Sequence, residues 1–167
     1  INNNNLSQSL TGAAAHTGAI YSIYNTGISL PGTYNVLNNN FSNYNHVNVT
    51  GTETFYFIYN TGDFANYSIT GNNWNNLTLN HSGTEYFMYN TSSTQSLLTV
   101  ASNSITNYTR NAATGSMYCY YSTATTPGTA VQQFSNNLFS NITSTTTGTG
   151  SFYGLYNTEG NTSPYPR

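Results

Sequence analysis

Tyr56-Phe-Ile-Tyr-Asn-Thr61 is the stretch that decides the fold, because it recurs. It is preceded by Tyr21-Ser-Ile-Tyr-Asn-Thr26 and followed by Tyr86-Phe-Met-Tyr-Asn-Thr91, Tyr118-Cys-Tyr-Tyr-Ser-Thr123 and Tyr153-Gly-Leu-Tyr-Asn-Thr158. The second tyrosines, Tyr24, Tyr59, Tyr89, Tyr121 and Tyr156, are spaced by 35, 30, 32 and 35 residues, a mean of 33. Self-similarity at such a period is the mark of stacked repeats.

Two further motifs keep the same period. Asn39-Asn-Phe41-Ser-Asn43 matches Asn72-Asn-Trp74-Asn-Asn76, Asn103-Ser-Ile105-Thr-Asn107 and Asn137-Leu-Phe139-Ser-Asn141. A weaker copy is Asn4-Asn-Leu6-Ser-Gln8. Tyr34-x-Val36, Tyr67-x-Ile69, Leu98-x-Val100 and Gln132-x-Phe134 each begin seven residues before the large apolar residue of the next motif. Cores of fixed length thus alternate with loops of variable length, as a solenoid allows. Glycine stands six residues before the second tyrosine in four copies, at Gly18, Gly83, Gly115 and Gly150.

The composition of the 167 residues excludes several classes of function. There are two arginines, no lysine and four acidic residues, whereas Asn, Ser and Thr number 28, 19 and 28. Two arginines cannot supply the cationic footprint of a nucleic-acid binder. No apolar run reaches the length of a membrane-spanning helix. Carboxylates are too few for most acid–base or hard-metal chemistry. Cys119 is the single cysteine and forms no intrachain disulfide. The same polar bulk would suit low-complexity disorder, but three motifs held in register over the chain argue for order. Low charge suits in-register stacking, because a charge repeated every turn would face its own copies.

The cores are short, rich in Tyr, Phe, Ile and Val, and bounded by Gly, Asn, Ser and Thr, which predicts strands. Three strands in about 33 residues predict an all-β fold: a parallel β-solenoid of about five coils forming one domain over 1–167. The coils are placed at 1–28, 29–62, 63–92, 93–124 and 125–160, with 161–167 as a tail that begins another. Parity sorts the columns. Asn39, Phe41 and Asn43 share a face, so Asn43, Asn76, Asn107 and Asn141 are expected to form an inward ladder beside a Phe/Trp/Ile/Phe core column. An amide both donates and accepts, so stacked copies can satisfy one another. Tyr21, Ile23 and Asn25 are likewise expected to point inward. That leaves Phe55, Phe57 and their equivalents with the Tyr24/59/89/121/156 stripe on the opposite face, available to a loop, another chain or a sugar.

Titratable residues form no obvious site. Glu53 and Glu85 read as loop surface. His16, His46 and His81 fall at different repeat positions without ligand spacing, so no metal centre is expected. Cys119 reads as a column member. No phosphate-binding loop occurs, and no catalytic residue or cofactor is assigned. N-glycosylation sequons are present, and Asn40, Asn48, Asn66, Asn80 and Asn161 are the candidates by loop position or outward parity. Asn76, Asn107 and Asn141 also carry the sequon but are expected to be hidden inside.

The Asn-x-Phe-x-Asn motif and three-strand coil resemble the right-handed parallel β-helix repeats of secreted surface proteins and adhesins. The resemblance is architectural and implies an extracellular or surface location. Residue 1 is Ile, consistent with a processed product or an excerpt. The spacing continues from the tail, at Tyr165, to the head, at Leu6, almost as it does inside the chain. The leading expectation is therefore a structural, non-enzymatic subunit of an extracellular filament, stacking head to tail on itself and carrying glycans. A polysaccharide-binding module using the tyrosine stripe is the alternative. An ice-binding face on Thr26, Thr61, Thr91, Thr123 and Thr158 is the third.

Overall fold

The computed structural model describes residues 1–10, 17–46, 51–111, 114–145, 148–158 and 160–162. All named strand pairs are parallel, and no helix occurs among the described residues. The chain winds as a β-solenoid with three sheets running along its axis. The first sheet contains Ser29–Leu37, Phe64–Thr70, Thr94–Ala101 and Val131–Ser135. The second contains Asn5–Leu6, Asn40–Ser42, Asn73–Leu79, Ser104–Arg110 and Leu138–Ser144, with the short strands Ser9–Leu10 and Asn45–His46 alongside. The third contains Ala19–Asn25, Thr54–Asn60, Glu85–Asn90, Met117–Ser122 and Phe152–Asn157. Thr125–Pro127 pairs with Gly160–Thr162 beside them.

The first sheet has four strands and the other two have five main ones, so four turns are complete and the first lacks one strand. The expectation of about five coils thus becomes four complete turns and a partial first one. The register is the one the motifs predict: Phe41 pairs with Trp74, Trp74 with Ile105 and Ile105 with Phe139.

Each turn bends between the first and second sheets at a residue with positive φ: Asn3, Asn38, Gly71, Ser102 and Asn136. Asn and Gly tolerate this left-handed region best. The next residue belongs to an amide ladder that is buried at Asn39, Asn72 and Asn103. Asn4 Nδ2 donates to Asn39 Oδ1 at 2.9 Å, Asn39 to Asn72 at 2.9 Å, Asn72 to Asn103 at 3.0 Å and Asn103 to Asn137 at 3.0 Å. The same Nδ2 groups of Asn72, Asn103 and Asn137 also donate to the carbonyls of Val36, Ile69 and Val100, each at 2.9 Å. The ladder closes the backbone's hydrogen bonding where the chain turns.

Parity fails at two places. Asn43, Asn76, Asn107 and Asn141 have φ between 52° and 57° and are exposed. They are not inward. One left-handed residue turns the strand, so Phe41 and Tyr44 both point into the core. Some laddering persists outside: Asn141 Nδ2 donates to Asn107 Oδ1 at 2.7 Å, and Asn107 Nδ2 to Asn75 Oδ1 at 2.9 Å. The third sheet bends as well. Phe57 and Ile58 are both fully buried, as are Phe87 and Met88, and Cys119 and Tyr120. Tyr56, Tyr86 and Tyr118 therefore stand outside, opposite to their expected side. The strand with two apolar faces is a corner, and the Phe55 and Phe57 columns fill the core.

The loop glycines are explained by close backbone approach. A Cβ on Gly83 would strike the Glu53 carbonyl, one on Gly115 the Gly83 carbonyl, and one on Gly150 the Gly115 carbonyl. The column runs Glu53, Gly83, Gly115, Gly150, so in the second turn Glu53 occupies the glycine position.

Candidate functional site

The outward bend of the third sheet assembles two adjacent columns of tyrosine. Tyr21, Tyr56, Tyr86, Tyr118 and Tyr153 stack with centroid separations of 5.0, 5.0, 4.9 and 4.6 Å and interplanar angles of 4–9°. Tyr24, Tyr59, Tyr89, Tyr121 and Tyr156 follow at 5.0, 4.8, 4.9 and 5.0 Å. Between columns, Tyr86 and Tyr89 meet edge to face at 4.7 Å and 80°, and Tyr118 and Tyr121 at 5.0 Å and 81°. The result is a herringbone over the later turns, with both stacked and T-shaped pairs at favourable spacing, while in the first turn Tyr24 stacks on Tyr21 at 4.8 Å and 19°. The parity reading had placed only one of the two columns outside.

This packing limits what the stripe can do. Within a column each inner ring except Tyr59, from which Tyr24 tilts by 52°, is stacked on both faces by its neighbours, which leaves edges and hydroxyls for solvent. A flat sugar needs an open ring face. The Thr column is also engaged, since Thr61 Oγ1 donates to the Asn25 carbonyl at 3.2 Å and Thr158 Oγ1 to the Ser122 carbonyl at 3.4 Å.

Burial, then repulsion from neighbouring phenolates, pushes Tyr56 and Tyr89 up to about 12 and raises Tyr86, Tyr59, Tyr118 and Tyr121 as well. The fold thus favours the protonated phenols. Their contribution is fully present below pH 10, the ordinary phenol value, and is lost as pH rises towards about 12. In an alkaline titration followed by phenolate absorbance, these rings are expected to ionise late and together with loss of the strand signal in circular dichroism. Ionisation near the free-tyrosine value in a still-folded chain would contradict this.

The second feature lies inside. Glu85 occupies a core column between Phe55 and Met117. Its Oε1 accepts from Arg110 Nε at 3.0 Å and lies 2.8 Å from His81 Nε2. Arg110 also donates through Nη2 to the Thr114 carbonyl at 2.9 Å. One turn below, His46 Nε2 lies 2.8 Å from Glu53 Oε1. The His46 and His81 rings meet edge to face at 5.8 Å. All five residues are buried. Glu53 and Glu85 are therefore interior groups, not loop surface. Sequence reasoning missed them because they come from different repeat positions, and only the winding brings them together. Tyr108, buried alongside, has its phenol raised by burial and by Glu85. No cluster of three metal-ligating side chains of the His, Cys, Asp and Glu set occurs among the described residues.

Cys119 is buried in the core column of Phe57 and Phe87, and burial pushes its thiol up to about 12, far from a nucleophile's range. Of the sequon candidates, Asn40 is half-buried and its Oδ1 accepts from Asn73 Nδ2 at 3.0 Å. Asn66 is half-buried with Nδ2 3.4 Å from Thr33 Oγ1, and Asn80 accepts from Asn111 Nδ2. Asn48, His16 and residues 163–167 lie outside the described residues, as does the side chain of Asn161. The exposed sequon column is instead Asn76, Asn107 and Asn141, each with Thr two residues on at Thr78, Thr109 and Thr143.

Exposed apolar side chains gather at the two ends of the stack. Ile1, Tyr21, Tyr24, Ile28 and Leu30 belong to the first turn and the start of the second, and Val131, Leu138, Phe152 and Leu155 to the last complete one. At the upper end a cavity of about 280 Å³ opens beside Gly154, Phe139 and Leu155. Gly154 stands in the column that Phe57 and Phe87 fill below. No protein-family model, curated protein or solved structure matches the chain.

Proposed function

We propose that this chain is a structural element of an extracellular rod or fibre, in which the stack of turns continues at both ends. The observation that supports the reading is the confinement, among the described residues, of exposed large apolar side chains to the first two and last turns. Single exposed apolar residues are common on any protein, but here, among the described residues, they cluster at the two edges of the stack. The ends also suit each other. Asn4 ends its ladder as donor to the turn above, with its Oδ1 accepting no hydrogen bond among the described residues, and Asn137 tops the ladder with an amide hydrogen still to give. Further turns of a longer chain or a second copy would continue the columns in the same way, and a second copy is what the isolated chain can recruit. Such a heterologous contact does not close, so it builds filaments.

Light scattering coupled to size exclusion, with negative-stain microscopy, tests this. The chain is expected to form concentration-dependent rods, and Phe152→Asp with Leu155→Asp is expected to return it to monomers of unchanged circular dichroism. A monodisperse wild-type monomer at high concentration sinks the reading. Retention on a polysaccharide gel with loss on Tyr59→Ala would favour the adhesin reading instead.

Glycans belong to the same proposal. When the chain is secreted by cells that attach N-glycans, Asn76, Asn107 and Asn141 are the positions expected to keep them in the folded rod, because they alone combine an exposed turn with Asn-x-Thr among the second-sheet columns. Peptide mapping after enzymatic deglycosylation checks this, and occupancy confined to Asn40 or Asn66 would contradict it.

A further inference from the structure

The tyrosine herringbone has a chemistry of its own. Ten phenols line one surface at ring separations of 4.6–5.6 Å, within and between columns. Among the described residues, the other side chains that give up an electron readily are buried or, at Tyr34, half-buried. Trp74, Cys119, Met88 and Met117 are all buried. A one-electron oxidant in solution therefore meets tyrosine first. The tyrosyl radical it makes lies in contact with the next phenol of its column, and often with two in the facing column, so it exchanges along the array until two radicals are neighbours.

We propose that this array is a site of oxidative coupling, at which a peroxide-driven one-electron oxidant joins tyrosines of successive turns as dityrosine. Each link forms one carbon–carbon bond between ring positions ortho to the hydroxyls. The two phenols together give up two electrons and two protons, counting the two ring hydrogens lost on rearomatisation while the hydroxyl hydrogens are regained. Those two electrons and two protons reduce one hydrogen peroxide to two waters, one full turnover of the oxidant. In-register stacking selects the pairs: Tyr56 with Tyr86, Tyr86 with Tyr118, Tyr59 with Tyr89 and Tyr89 with Tyr121 are the central ones. The central rings are half-buried with their edges and hydroxyls towards solvent, so the carbons ortho to the hydroxyls are the part of each ring that an oxidant reaches. The links would staple turn to turn by covalent bonds that the hydrogen-bonded sheets lack. The inference does not depend on end-to-end association.

The test treats the dilute full chain with a haem peroxidase and hydrogen peroxide, then isolates the monomer. Dityrosine fluorescence is expected, with a mass loss of two hydrogens per link and crosslinked peptides joining neighbouring turns. Tyr86→Phe with Tyr89→Phe keeps stacked rings but removes both phenols of the central turn. Four of the eight in-column pairs involve those two residues, so the yield in the monomer is expected to fall about twofold. A link map no different from that of the chain in denaturant, oxygen addition at methionine or cysteine ahead of coupling, or no dityrosine in the monomer would each overturn the proposal.

Discussion

Glu85→Met is expected to destabilise the solenoid by about 3–5 kcal/mol, because it leaves the buried Arg110 guanidinium without its carboxylate. The methionine itself fits, since Met117 holds the next position of that column. The loss is therefore electrostatic and not steric. At this chain length each kcal/mol moves the melting midpoint by about 2–4 °C, so a fall of roughly 6–20 °C is expected. Glu85→Met with Arg110→Met removes both charges and is expected to regain most of it, since buried ion pairs replaced by apolar residues of similar volume are often neutral or better. Thermal melts of the three proteins check this. A single variant within about 0.5 kcal/mol of the parent, the range of ordinary surface changes, would show that the pair is not desolvated as the structure has it.

The second large effect separates two asparagine columns that look alike. Asn103 is fully buried. Its Nδ2 donates to the Ile69 carbonyl at 2.9 Å and to Asn137 Oδ1 at 3.0 Å, and its Oδ1 accepts from the backbone and side-chain nitrogens of Asn72, both at 3.0 Å. Leucine has nearly the same shape and none of these bonds. Asn103→Leu strands the Ile69 carbonyl and the Asn72 amide away from water. Each orphaned group costs about 1–3 kcal/mol, so a total of about 3–5 kcal/mol is expected. Asn107, four residues on, is exposed with φ of 52°. Asn107→Gly keeps access to that left-handed conformation and is expected to change stability by less than about 1 kcal/mol. Denaturant midpoints of the two variants measure the contrast. Equal losses would mean that Asn107 carries a structural load like that of Asn103.

Much of the fold is legible in the sequence because it is periodic. The recurrences of Tyr-x-apolar-Tyr-Asn and Asn-x-apolar-x-Asn give the turn length, the three strands, the parallel stacking and the residue pairs such as Phe41 with Trp74. These follow from one constraint: identical elements stacked in parallel must bury the same columns. The strand arithmetic, however, holds only within an unbroken strand, where side chains alternate. A single left-handed residue at Asn43, Asn76, Asn107 or Asn141 reverses everything after it, as does the corner after Phe57 and Phe87. That is why one asparagine column and one tyrosine column lie outside against expectation, and why the hidden sequons are the exposed ones.

The charged residues show the other limit. Glu53 sits in a glycine column, Glu85 in an apolar one, His46 and Arg110 in the column of Leu79, and His81 elsewhere in the turn. No periodic reading brings the carboxylates to their partners, because these lie in different columns and each replaces the residue type its column repeats. The sequence by itself determined that the chain stacks, with what period and in which register. Only the tertiary structure decided which side of each bend a residue occupies and which exceptions meet, since both depend on the path of the backbone between strands and not on the strands themselves.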